Sequence, residues 1–119
     1  MNFLMKAAKK KDVNAKLRPG TYTAEIISVA ETKGYKPGDA YTLVYDLSDG
    51  DKSWSYSEIF ISDPDDSRTA IFADYLSDNG IEITAWNQLV GLREEVQLLK
   101  ESKGKRGVFL NIVERRILV

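Results

Sequence analysis

Two kinds of side chain in this sequence have chemistry to offer, and they fall close together. The first are rings. Tyr41, Tyr45, Trp54, Tyr56 and Phe60 lie within Ala40 to Ile61, five of the chain's twelve aromatics. The second are basic groups. Lys33 and Lys36 flank Tyr35 just before that stretch, Lys52 sits inside it, and Lys100, Lys103, Lys105 and Arg106 gather near the C-terminal end. A ring presents a π-face on which a nucleobase stacks, at about 1–3 kcal/mol per base. Lysine and arginine attract phosphates whatever the base sequence. A tyrosine between two lysines suits contact with a sugar-phosphate strand and one of its bases. Each group also has a plainer reading, as core ring or solvated loop. Phe60 reads as core. Tyrosine and tryptophan carry a polar handle that suits a half-exposed site, so Tyr41, Tyr45, Trp54 and Tyr56 stay divided between the two.

Other chemistries are poorly supplied. The chain has no cysteine, hence no disulfide, thiolate metal site or cysteine nucleophile. It has no histidine, which removes the commonest general base and metal ligand. Three carboxylates in Ser62 to Ser67, Asp63, Asp65 and Asp66, are the nearest thing to a metal cluster, and helix capping accounts for them. The expectation is a protein that is not an enzyme, with no cofactor and no metal. The N-terminal apolar run is only Phe3-Leu4-Met5, too short for a signal peptide, and nothing approaches a membrane span. The expected location is cytoplasmic.

The elements that must position these groups follow from pattern. Ser48-Asp49-Gly50-Asp51 separates two alternating runs, a hairpin signal because glycine accepts the positive φ of a tight turn. A two-residue loop of Asp49 and Gly50 sets Tyr45 opposite Trp54 and puts Tyr41, Leu43, Tyr45, Trp54 and Tyr56 on one face. A loop one residue longer sets Tyr41 and Tyr45 opposite serines instead. A first strand is expected over Thr21 to Ala30, with Tyr22, Ala24 and Ile26 to one side. Glu31 to Asp39 is a loop punctuated by Gly34, Pro37 and Gly38. Asp63 as N-cap before Pro64 starts a helix that Asn79-Gly80 ends, with Ile71, Phe72, Tyr75 and Leu76 as its stripe. Thr84 caps a short turn through Trp86, read as a core plug. Leu92 to Lys100 and Val108 to Val113 are the last two strands, with a turn-rich loop between them, and Glu114 to Val119 extend the second.

Length supports one domain of 119 residues. Its charge is uneven. Residues 1–20 hold six basic groups against one acidic, and residues 21–119 carry a net −6. A basic arm, residues 1–18, thus precedes a folded body, residues 19–119. Such an arm suits a polyanion, a solvated tail, or docking on an acidic neighbour in an oligomer. The element order places the body in the mainly-β class. It predicts a five-stranded, OB-fold-like Greek-key barrel with one helix between strands three and four. In that fold strands two and three, with the loops joining strands one to two and four to five, form the usual ligand surface. Here those parts carry the rings and the basic groups.

The run LRPGTYTAEIISVAETKGYKPGDAYTLVYDL, with ITAWNQLVGL before a later strand, resembles the small single-stranded-DNA-binding proteins of bacteriophages, in particular those of lactococcal phages. The resemblance covers most of residues 17–113. It implies an OB-fold, association into dimers or tetramers, protection of single strands during replication, and cooperation with recombination or replication proteins. Bacterial members of this functional class end in an acidic tail that recruits partners. This chain ends Arg115-Arg116-Ile117-Leu118-Val119, so tail-mediated recruitment is not carried over. The competing expectation is a protein-interaction module, such as a phage inhibitor of a host protein or an assembly component. The acidic body favours it, since DNA binders more often have basic domains.

Overall fold

A computed structural model describes residues 17–33, 39–63, 65–102 and 108–118. The strands are β1 (Gly20–Thr32), β2 (Ala40–Ser48), β3 (Ser53–Ile61), β4 (Arg93–Ser102) and β5 (Val108–Ile117). One helix, α1 (Ser67–Asp78), and a 3-10 turn, Trp86–Leu89, come between β3 and β4. The strands form one antiparallel sheet in the order β3-β2-β1-β4-β5. Read from β4, this contains the order 4-1-2-3, in which a long connection returns the fourth strand beside the first, as in a Greek key. The sheet is not closed into the expected barrel. Closure would need β3 and β5 to pair. They stand instead at the two ends of the order, and β5 is paired with β4.

The strands form where the pattern alternates. Tyr22, Ala24 and Ile26 of β1 are buried, as are Leu43, Tyr45 and Leu47 of β2 and Val96 and Leu98 of β4. Ile27 follows Ile26 and is exposed, because successive side chains point to opposite faces. β1 runs longer than expected, to Thr32, and β5 continues past Val113 to Ile117, as expected.

The chain divides into two compact units. The first holds β1 up to Glu25, the hairpin tip from Asp46 to Ser55, β4 and β5. In it β1 and β4 pair with Tyr22 opposite Val96 and Ala24 opposite Glu94. The Tyr22 hydroxyl donates to Arg18 O at 2.6 Å, and Trp54 meets the Tyr22 ring edge-on, centroids 5.5 Å apart at 86°. Glu94 is fully buried with Arg115 beside it, Nη1 to Oε2 3.4 Å. The β4–β5 register shifts between Gln97 and Leu98. The second unit holds β1 from Ile26, β2 up to Tyr45, β3 from Tyr56, α1 and the 3-10 turn. Its core comprises Ile26, Leu43, Tyr45, Phe60, Phe72, Leu76 and Leu89. The segment after the helix is tied to β1 by Gly91 N–H donating to Ile26 O (2.7 Å) and Ile26 N–H to Leu92 O (2.9 Å).

The helix begins later than the Asp63 start expected from sequence. Asp66 is its N-cap, and its carboxylate takes the Thr69 N–H at 3.0 Å. Asp63 makes the preceding turn instead, accepting from the Asp65 N–H at 2.9 Å. The acceptor for the third residue onward defines the cap, and Asp66 supplies it. Those hydrogen bonds, first from the Thr69 hydroxyl and then from its backbone, hold the Asp66 carboxyl below the usual carboxylate range. The helix closes at Asn79, and Gly80 takes a φ of +74°. Phe72 and Leu76 of the expected stripe are buried, while Ile71 is exposed. No helix among the described residues is long and apolar enough to cross a membrane.

Candidate nucleic-acid interface

The β2–β3 hairpin turns one position later than expected. Asp49 N–H donates to Lys52 O at 3.2 Å, closing the turn over Gly50 and Asp51, with Gly50 at φ +105°. The Asp49 carboxylate accepts from the N–H groups of Lys52 (2.9 Å) and Asp51 (3.0 Å), which lowers its pKa. Moving the turn by one position moves each residue's partner by two, so faces are conserved and partners change. Leu43, Tyr45 and Leu47 of β2 and Trp54, Glu58 and Phe60 of β3 point inward. Tyr45 therefore meets Tyr56, ring centroids 6.2 Å apart, and not Trp54.

This decides where the candidate residues lie. Tyr45 is fully buried, and its hydroxyl donates to Glu58 Oε1 at 2.8 Å. Trp54 is 9% exposed and packed on Tyr22. Neither offers a free ring face. Tyr56 is half-buried against Tyr45. Lys33, Lys52 and Lys100 are exposed. Tyr35, Lys36, Lys103, Lys105 and Arg106 lie outside the described residues.

What the structure brings together is Lys33, Glu31, Tyr41 and Trp86. Tyr41 and Trp86 are both half-buried and stack face to face, centroids 5.0 Å apart and 13° from parallel. The Tyr41 hydroxyl donates to Glu31 Oε2 at 2.7 Å, and Lys33 Nζ lies 4.0 Å from Glu31 Oε1. The bond to Glu31 raises the Tyr41 pKa, with burial and the charges of Glu31 and Asp39 adding to it, so the phenol stays a proton donor. Behind this pair the stack continues inward. Trp86 lies 5.6 Å from Phe60, Phe60 4.6 Å from Phe72, and Phe72 6.1 Å from Tyr75, each pair within 30° of parallel.

Trp86 is the residue that sequence reasoning left in the core. Its 3-10 turn is held by a reciprocal pair: Thr84 N–H donates to Gln88 Oε1 (2.8 Å) and Gln88 Nε2 to Thr84 Oγ1 (3.2 Å). Leu89, 1% exposed, is the plug of that turn, and Trp86 is half-buried within the ring stack, on both Tyr41 and Phe60. The polar setting Thr84-Ala85-Trp86-Asn87-Gln88 was the available signal that this ring is only partly enclosed.

A groove of about 420 Å³ lies beyond the stack in the same unit, lined by Phe72, Leu76, Ile81, Ile83 and Trp86 with Glu82 among them. Residues 62–92, which include its lining, hold six acidic groups and one basic, Arg68. Arg68 is engaged, with Nη2 3.4 Å from Glu58 Oε2 and its guanidinium 5.1 Å above the Phe60 ring. Among the described residues no cluster of acidic side chains is placed to hold a metal ion. No protein-family model matches the chain, and comparison with curated proteins finds no match either.

Proposed function

We propose that this chain is an OB-fold protein that binds single-stranded DNA with little sequence preference. The observation that carries the reading is the half-buried Tyr41–Trp86 stack, linked through Glu31 to the exposed Lys33. A flat, partly open pair of rings takes a base, and an adjacent ammonium takes its phosphate. The Greek-key strand order supports the OB-fold, whose barrel is often only partly closed and whose ligand surface includes strands two and three. In this reading Tyr41 and Tyr56 stack on bases with Trp86 backing Tyr41, and Lys33, Lys36, Lys52, Lys100, Lys103, Lys105 and Arg106 hold phosphates, with Tyr35 beside them. Tyr45 backs Tyr56 from within. The resemblance to phage single-stranded-DNA-binding proteins extends the proposal. The chain would act without catalysis in the host cytoplasm, in replication or recombination, and copies of it would associate. Fluorescence anisotropy of a labelled dT oligomer tests this. Binding that weakens steadily as salt rises is expected, and no binding at low ionic strength overturns it.

The acidic, apolar groove favours a second reading, a protein-interaction module. Pull-down from host lysate with and without nuclease separates the two. A partner retained after nuclease treatment supports the module.

A further inference from the structure

We propose that the groove beside α1 receives the N-terminal arm, residues 1–16, of a second copy of this chain. The inference rests on the association of copies proposed above and not on DNA binding. It names the two surfaces that meet.

The groove has an apolar floor with a carboxylate in its lining, and it is built from an acidic stretch of the chain. Phe72, Leu76, Ile81, Ile83 and Trp86 line it, and its volume of about 420 Å³ lies in the range of pockets that take large apolar groups. Glu82 is part of the lining. The stretch that lines it, residues 69–86, carries a net −3, from Asp74, Asp78 and Glu82, with Arg68 just before it. Arg68 is already occupied by Glu58 and the Phe60 ring, so it does little to offset this field.

The arm has the complementary chemistry in the same compact form. Phe3, Leu4 and Met5 are followed by Lys6, Lys9, Lys10 and Lys11, and residues 1–16 carry a net +4. An apolar triplet suits the floor while the lysines suit Glu82 and the acidic stretch that carries it. No other segment of the chain joins three large apolar residues directly to four lysines. The charge pattern also selects a copy of this chain as the partner. A +5 end (residues 1–20) on a −6 body attracts its own kind head to tail, whereas two −6 bodies alone repel. Reach is ample, since sixteen extended residues span about 50 Å. The contact is heterologous, arm into groove, and so propagates from copy to copy.

The test uses the full chain without DNA. The natural sequence has no cysteine, so Asn2→Cys carries a single nitroxide. This protein is mixed with wild-type chain labelled with nitrogen-15, and amide intensities are compared before and after reduction of the label. The expected result is a loss of intensity at Ala73, Leu76, Ser77, Ile81 and Ile83 that reduction restores and added salt diminishes. Leu4→Ser in the nitroxide-bearing copy, or Glu82→Lys in the nitrogen-15 copy, should largely remove that loss. No loss in the mixed sample overturns the proposal. So does loss centred on β4 and β5, or loss at the groove only when nitroxide and nitrogen-15 share one chain. None of these outcomes bears on the oligonucleotide titration, which stands or falls separately.

Discussion

Tyr45→Phe is the substitution that most sharply separates a core ring from a base-stacking one. The ring is fully buried, and its hydroxyl donates at 2.8 Å to Glu58, itself 7% exposed. Phenylalanine keeps the ring and its packing, so the change removes one hydroxyl and one hydrogen bond to a carboxylate. Such bonds contribute about 1.5–3 kcal/mol. Glu58 keeps Arg68 nearby at 3.4 Å, which places the expected loss toward the lower half of that range, roughly 2 kcal/mol. For a chain of this size that is a fall in Tm of roughly 8 °C. Urea unfolding followed by circular dichroism measures it, and Glu58→Gln alone and combined gives the coupling between the two side chains. Affinity for a dT oligomer should be unchanged. A stability change under about 0.5 kcal/mol, the size of an ordinary surface substitution, would refute the inward placement of Tyr45. A drop in oligonucleotide affinity would return the residue to the interface.

Asp66→Ala should lower stability by about 1 kcal/mol by removing the cap of α1, read by the same unfolding assay. The Asp66 carboxyl titrates below its unfolded value of about 3.9. Its ionic contribution is therefore complete above that pH and is lost as pH falls through the lower folded value, so wild type and Asp66→Asn should converge on acidification. Gly50→Ala should cost about 1–2 kcal/mol through backbone strain alone, because φ is +105° and no atom lies within 4 Å of the new methyl. Trp86→Leu should weaken dT binding, read by anisotropy, by removing the ring that backs Tyr41, whereas Trp54→Phe should leave affinity unchanged.

Much of the frame was legible because local chemistry decides it. Asp-Gly between alternating runs marked the hairpin, Asn79-Gly80 marked the end of α1, and the inward series Tyr22, Ala24, Ile26 was readable from period two. The start of α1 was not, because Asp63 and Asp66 both have the right chemistry and only the bond to Thr69 separates them. Strand β3 hid its inner face behind Glu58. A carboxylate in the series Trp54, Tyr56, Glu58, Phe60 reads as solvent-facing until Tyr45 and Arg68 are found beside it. Barrel closure depends on whether two distant strands meet, which no pattern within either strand encodes. The Tyr41–Trp86 stack is equally non-local, formed by residues on either side of β3 and α1 in the chain.

That stack is also where the account can be struck most directly. In Trp54→Phe protein, Trp86 is the only tryptophan left, so the fluorescence reports the Tyr41–Trp86 stack with no contribution from Trp54. Titration with a dT oligomer at low ionic strength should quench this emission to saturation, and the apparent affinity should fall linearly in log salt. Saturable binding by anisotropy with Trp86 emission unchanged would contradict the assignment of the platform, and no binding at all would contradict the function.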